Sequence, residues 1–442
     1  MTGPVDEAAT APTAGVLAAL DDADWAAAAE GARASLAAEG VDIVAEGRAV
    51  PLHVDPVPRV VDGAEWDRLA AGLAQRVRAL EAFLRDPSVA VAAGVVPASV
   101  VETSIYSEDG PAPPVVPIGV AGPDLVRTAE GDLVVLEDNV RTPTLMGYAL
   151  AVSRAVRGQL APPPGLRPAL DGLVAGLAHV LRAAAPDVDD PVVAVLGDDR
   201  GSNVRWEPEH VAGLLGVPLV DLTELTARGD RLLLPDGRTV DVLWRRTSEE
   251  RLLGDDGRPN RYGEALLPGL RSGRLRVVNP YGTGVADDKR TYRYVDDLVR
   301  LHLGEEPRVR SVRTWDLGHP AERRQVADRL DQLVVKPRSG SGGRGVTVLP
   351  RVDAATRDRV LRDVAADPAQ WVAQEPVLLS TAPTLVRGEL VARHVDLRPC
   401  VLSDGERVTV LPGGLTRVAL RAGELVVNCS QGGGAKDTWV VD

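Results

Sequence analysis

Apolar residues return at Trp66, Leu69, Leu73, Val77, Leu80 and Leu84, the spacing of one face of a helix. Asp62-Gly63-Ala64-Glu65 stands just ahead and reads as its capping signal. The period then changes. Short apolar runs over 120–127 and 133–139 flank the turn residues Ala129-Glu130-Gly131-Asp132, which predicts a hairpin. A helix is predicted over 146–160, closed by Pro162-Pro163-Pro164-Gly165, the strongest linker candidate in the chain. From 166 to 280 helical and strand patterns alternate: helices over 170–184 and 209–215, and strands over 192–196, 217–220 and 240–244. Pro235-Asp236-Gly237 forms a turn before the last strand. That alternation predicts a small α/β unit. Beyond 281, strands are expected over 333–336, 346–349, 371–374, 395–401 and 424–428, with helices over 292–303 and 353–366. The first fifteen residues, Ala-rich and short of polar anchors, are expected to be loose.

A chain of 442 residues at roughly 150 per domain suggests about three lobes. The pattern divides it into 1–160 with the hairpin, 166–280 as the small α/β unit, and 281–442. With 45% hydrophobic and 26% charged residues the chain is ordinary globular material, which excludes fibrous and disordered classes. No run approaches 18 apolar residues, and the first ten residues hold neither a basic residue nor an apolar core, so neither a membrane span nor a secretory signal is expected. Two cysteines allow at most one disulfide and make a reducing cytoplasm the simplest compartment. The net charge of -13 argues against nucleic acid or an anionic membrane as main partner. Oligomeric state is not legible.

One bias sharpens the search. Of 50 basic residues only Lys289, Lys336 and Lys436 are lysine. In a chain so strongly drawn to arginine, a surviving lysine reads either as a place where a planar fork fails and a compact ammonium is needed, as in a tight phosphate pocket, or as a chance survivor of the bias.

Lys336 lies on a predicted strand that runs into Ser339-Gly340-Ser341-Gly342-Gly343-Arg344-Gly345 and out into another strand. Gly340 to Gly345 spell GxGxxG, but a dinucleotide fingerprint needs a helix next, and the Gly-Lys-Ser/Thr of a Walker loop is absent. A glycine loop between two antiparallel strands can instead lay backbone N–H groups over a triphosphate. In the hairpin, alternation puts Glu137 and Asn139 on one face and Asp138 on the other. With a two-residue turn at Glu130-Gly131, partners sum to 261 and Asp124 faces Glu137. Facing like charges are tolerable if a cation sits between them, and Asp124, Glu137 and Asn139 are hard oxygen donors suited to Mg²⁺. The same residues also read as an exposed acidic strand end. Gly282 to Lys289 suggests a helix start that turns Lys289 toward phosphate or simply caps a helix. Asp396 and Arg398 share a strand face, as ligand-binding groups or as an ion pair. No zinc cluster or serine-hydrolase motif occurs.

Taken in order, a strand lysine, a glycine-rich strand–loop–strand and an Asp with a Glu-x-Asn resemble the ATP-grasp inventory. Here Glu137-Asp138-Asn139 precedes Lys336 by about 200 residues, so the chain resembles the circularly permuted ATP-grasp family, type 2. The matching strings are Leu136 to Pro143, Gly282 to Lys289, Val334-Val335-Lys336-Pro337, Ser341-Gly342-Gly343, Arg393 to Pro399, Leu411 to Val418 and Ser430 to Trp439. Glu137-x-Asn139 with Thr142-Pro143-Thr144 also resembles the metal segment of glutathionylspermidine synthases. Where the family has Asn-Ser and an aromatic-Glu-His run, this chain has Gly201 to His210.

The resemblance implies an α/β (α+β), circularly permuted ATP-grasp fold with a Rossmann-like pre-ATP-grasp subdomain. It implies ATP and Mg²⁺ as cofactors. Lys289, Lys336 and Lys436 would meet phosphates under a loop of Ser339, Gly340, Ser341, Gly342, Gly343 and Gly345. Gln374, Glu375 and Val377 would form the adenine hinge, and Asp124, Glu137 and Asn139 would hold the metal. Arg417, with Arg141 and Arg398, would meet phosphate or a carboxylate substrate. The implied activity is a carboxylate–amine ligase acting on small-molecule or peptide substrates. A phosphotransferase on the same fold, and a non-catalytic nucleotide-binding partner of a biosynthetic complex, stay open.

Overall fold

The computed structural model describes residues 5–45, 48–104, 115–144, 146–197, 206–247, 249–254, 256–340, 343–425 and 427–442. The amphipathic stretch after Asp62 forms the long helix Gly63–Arg85, and the Asp62 carboxylate accepts the Glu65 N–H at 3.0 Å as its cap. Trp66, Leu69, Leu73, Val77 and Leu80 are buried in a core shared with helix Val295–Leu303 and with Leu125, Val135 and Leu397 from a large sheet. Arg76, buried on the same helix, grips Asp138 with two N–H···O bonds of 2.7 Å. The alternation predicted for the hairpin is therefore realised: Asp138 turns into the core while Glu137 does not.

The large sheet draws strands from both ends of the chain, in the order Arg59–Asp62, Gly434–Val441, Leu415–Val418, Glu389–Arg398, Asp124–Arg127, Leu133–Glu137, with Thr381–Val386 also paired to Glu389–Arg398. Arg59–Asp62 runs parallel to its neighbour and the other pairs are antiparallel. Hairpin partners sum to 260 over 125–127, not to the expected 261, because the turn is longer than two residues: the Thr128 N–H bonds Asp132 O. A register shift between Asp124 and Leu125 then restores the expected facing pair, Asp124 opposite Glu137.

A second, antiparallel sheet has the order Thr314–Asp316, Trp371–Gln374, Val334–Pro337, Thr347–Val348. The predicted α/β unit is a parallel sheet ordered Arg276–Val278, Val242–Arg245, Val193–Leu196, Leu219–Val220, accompanied by helices Leu173–Ala183, Trp206–Leu215 and Arg261–Ser272. Asn279, at its edge, stitches it to the hairpin. Its amide oxygen accepts the Gly119 and Val120 N–H groups, and its NH₂ donates to Val120 O and Val140 O.

Three expectations need correction. The N-terminus is anchored from residue 5 onward: the Glu7 carboxylate is buried and takes hydrogen bonds from Arg59, Arg127 and Ser380, contacts that no local pattern encodes. The Pro-rich stretch is a strap along the C-terminal strand, where Asp442 N–H bonds Gly165 O and Arg167 N–H bonds Val440 O. Its glycine sits at φ +76°, which favours glycine, and an added Cβ would lie 2.6 Å from Asp442 O. Residues 424–428 form no strand among the described positions, and Leu425 and Val427 instead pack against Val126, Val134 and Leu379.

Removing one partner of a buried pair leaves the other charge uncompensated. Asp138→Ala is therefore expected to lower unfolding free energy by about 3–5 kcal/mol, measured by urea denaturation. A loss under about 1 kcal/mol would mean that the Arg76 pair anchors nothing.

Candidate active site

Sheet register decides which side chains meet. Asp396 pairs with Arg417 across the strands, Leu397 with Leu125, and Asp124 with Glu137. One level of one sheet face therefore carries Arg417, Asp396 with Arg398, Asp124 and Glu137 in a row across four strands. The second sheet faces this row with Val334, Lys336, Val348 and Gln374. Between the two lies a cleft of about 1050 Å³ including its open mouth. Its apolar lining is Val126, Leu136, Val334, Val348, Val377, Leu379, Leu425 and Val427, and its polar lining includes Asp124, Glu137, Asn139, Lys336, Asp396, Arg398, Arg417 and Asn428. The Gln374 NH₂ donates to Thr314 Oγ1 at 3.0 Å and reaches Leu136 O at 3.4 Å, bridging the two walls.

Two of the three lysines meet here. Lys336 stands on the wall, and burial pushes its ammonium down to about 8 against the pull of Glu137. Lys289 opens the short helix Lys289–Tyr292, as expected of the Gly282 to Lys289 segment, and places Nζ 2.7 Å from Glu137 Oε1 and 3.1 Å from Gly340 O. The strand-loop junction is clamped to that helix. Arg338 is buried, its guanidinium forks onto Asp288 at 2.7 and 3.0 Å, and its carbonyl accepts the Lys289 N–H. Ser339 and Gly340 lead into the loop and Gly343 lines the cleft. Gly340, Gly343 and Gly345 have φ of +115°, +73° and +76°, a conformation that explains the glycines. Ser341 and Gly342 lie outside the described residues, as do 201–205.

The facing carboxylates are not left to repel. Asp124 accepts from Arg398 Nε and, at 2.7 Å, Nη2, from Arg417 Nη2 at 2.8 Å, and from the Asn139 amide at 3.3 Å. Burial alone would raise its carboxyl, but the two guanidiniums hold it at about 2. Arg417 also forks onto Asp396. The Asp396–Arg398 pairing that strand alternation suggested is thus replaced by two cross-strand pairs.

For a divalent cation, Glu137 and the Asn139 amide oxygen fit as hard donors. Asp124 fits only by giving up guanidinium N–H groups, because its roughly four acceptor positions are all engaged. Among the described residues no group of three His, Cys, Asp or Glu forms a metal cluster.

Of the other expected site residues, Gln374, Glu375 and Val377 line the cleft. Arg141 does not line the cleft and instead lies 3.5 Å from Glu249 and Glu250. Lys436 is a correction. It is fully buried away from the cleft, paired with Asp55 and donating to Val57 O at 2.9 Å and Pro383 O at 2.8 Å. The scarcity of lysine did mark a compact ammonium requirement there, but three protein oxygens satisfy it. Leu379, Leu425 and Val427 line the cleft and were missed as site residues, whereas Asp396 stood out only through its shared strand face with Arg398.

A model of the family described as "Circularly permuted ATP-grasp type 2" matches residues 58–419. The chain is 42% identical over 408 residues to a Frankia alni protein named "Putative glutamate--cysteine ligase 2-3", covering 88% of this chain and 47% of that protein. It is 38% identical over 428 residues to an uncharacterised protein of Mycobacterium tuberculosis, covering 91% of this chain and 76% of that protein. The chain thus spans about half the length of the Frankia relatives, and their name belongs to the whole protein. A solved glutathione synthetase-like effector from Globodera pallida superposes with a TM-score of 0.61 at 11% identity, over 99% of this chain and 100% of that chain, a likeness of fold alone.

A guanidinium is larger than the ammonium that Asp55, Val57 O and Pro383 O enclose. Lys436→Arg should therefore destabilise the fold by about 1–3 kcal/mol, read from chemical denaturation. An unchanged midpoint would refute the requirement for a compact cation.

Proposed function

The chain belongs to the circularly permuted ATP-grasp family, type 2, and we propose from that premise that it is an ATP- and Mg²⁺-dependent carboxylate–amine ligase. The observation that carries the proposal is the convergence of Asp124, Glu137 and Asn139 with Lys336, some 200 residues later, around one cleft lined by apolar and charged side chains. The apolar lining takes the base, with Gln374, Glu375 and Val377 as its hinge. Lys336 and Lys289 meet the phosphates, and the 340–345 loop covers them. Glu137 and Asn139, with Asp124 if it is freed from its arginines, would hold Mg²⁺, which would supply charge neutralisation at the triphosphate. Region 281–442 is the nucleotide-binding part, with 166–280 as the pre-ATP-grasp-like lobe and 1–160 contributing the metal hairpin.

The chemistry balances without an enzyme nucleophile. A substrate carboxylate oxygen attacks the γ-phosphorus, the bond to ADP breaks, and an acyl phosphate results. An amine nitrogen then attacks the acyl carbon, phosphate leaves, and the amine gives up a proton. Arg398 and Arg417 orient the carboxylate and stabilise developing oxyanion charge, and a closed glycine loop keeps water from the acyl phosphate.

Two outcomes are expected. ADP release with Mg²⁺–ATP, screened over amino acids, amines and peptides, should require both a carboxylate and an amine. Lys336→Arg should lose about 10²-fold or more, because a fork does not replace a compact ammonium. ADP release without an amine would make the protein a phosphotransferase instead.

The pH dependence has a definite sign. With Lys336 at about 8 in the protein, its ammonium is fully present below pH 7 and lost as pH rises through 8. A triphosphate beside it favours the charged form, so nucleotide binding at pH 8–9 should take up a proton, while binding at pH 6.5 should not. Calorimetry in buffers of differing ionisation enthalpy measures this. Equal uptake in wild type and Lys336→Met would contradict the assignment.

A further inference from the structure

We propose that Asp124 is an exchangeable counter-ion: its capture by a divalent cation releases Arg398 to bind an anionic substrate group, so that metal and anion enter the cleft with positive coupling. This rests on the ligase proposal above and adds to it a coupling between metal and anionic substrate.

The argument starts from how unequally the two arginines are held. Arg417 has two carboxylates, Asp124 on one side and Asp396, its direct register partner, on the other. Arg398 has Asp124 as its carboxylate partner, contacted through Nε and Nη2, and beyond that a 3.5 Å contact to Thr144 O. If Asp124 turns to a metal, Arg417 stays hydrogen-bonded to Asp396, whereas Arg398, among the described residues, keeps a contact at the limit of hydrogen bonding and the longer-range attraction of Asp396. Arg398 lines the cleft, so it is released toward arriving substrate.

Charge makes the exchange concerted. Asp124 and Arg398 are both largely buried, with side-chain exposures of 7% and 16%. A cation arriving alone leaves Arg398 as a poorly solvated, unpaired charge. An anion arriving alone, taking Arg398, strips Asp124 of its chief partner. Each half-exchange carries the penalty of a broken buried pair. Together they are neutral: the cation compensates Asp124 and the anion compensates Arg398. Two ligands that each lower the other's penalty bind with a coupling free energy shared equally between them. A carboxylate substrate therefore binds more tightly once metal is in place.

Inorganic phosphate serves as the anion probe, titrated calorimetrically with and without Mg²⁺ and without nucleotide. In wild type, Mg²⁺ is expected to tighten phosphate by about tenfold. In Asp124→Asn, phosphate should bind more tightly than in wild type without Mg²⁺, and Mg²⁺ should add nothing. In Arg398→Gln the Mg²⁺ enhancement should vanish while the far-ultraviolet circular dichroism is unchanged. This variant decides the matter if Asp124→Asn fails to fold. Equal phosphate affinity with and without Mg²⁺ in wild type, or an enhancement that survives in Arg398→Gln, overturns the proposal. A parallel titration with Mg²⁺ and a non-hydrolysable ATP analogue keeps the two claims apart. Failure of the analogue to bind removes the ligase proposal, whereas a bound analogue without phosphate coupling removes only the exchange.

Discussion

Carboxylates facing each other across a sheet repel, and the site depends on how that repulsion is cancelled. Asp124 stands opposite Glu137 in register, one strand away from Asp396, on a face closed off by a second sheet. Four cations arrive from four separate segments to balance the row: Lys289, Lys336, Arg398 and Arg417. Lys289 reaches Glu137, and the guanidiniums fork onto Asp124 and Asp396. The contacts that let the sheet close are thus made by the same groups that a triphosphate, a divalent cation and a carboxylate would engage. On the ligase proposal, ligand binding there would mean partner exchange rather than occupation of an inert hole.

The immediate neighbours of these residues have a different task. Glu137 faces the cleft while Asp138 is locked onto Arg76 in the core. Lys289 reaches Glu137 while Asp288 holds Arg338 and caps the Lys289 helix by accepting the Arg290 N–H. Lys336 stands on the wall while Arg338, two residues on, ties the base of the glycine loop to that helix. Glu137, Lys289 and Lys336 each sit within two residues of a buried ion pair. That arrangement holds backbone positions fixed while the site charges change partners.

The local patterns carried much of this. Alternation separated Glu137 from Asp138 because strand faces alternate whatever lies on the other side. The alternating helical and strand patterns of 166–280 marked an α/β unit, and its strands pair in parallel. The strand lysine and glycine loop stood out because only glycine tolerates the positive φ found there. What failed was long-range partner choice. Nothing near Asp396 says that Arg417 rather than Arg398 will take it, since that follows from the register between strands twenty residues apart. Lys436 answered to the need for an ammonium, but its oxygens come from Asp55, Val57 and Pro383, invisible to a local motif. The apolar alternation at Leu425 and Val427 read as a strand because a cleft wall and a sheet face ask for the same residues.

The most direct test of the central claim is a crystal structure with Mg²⁺ and a non-hydrolysable ATP analogue. The account requires the phosphates within hydrogen-bond reach of the Lys336 and Lys289 ammoniums, the base among Val334, Val348, Leu425 and Val427, and the metal on Glu137 and Asn139. A nucleotide bound at any other surface, with Lys289 still on Glu137 and both arginines still on Asp124, would contradict it.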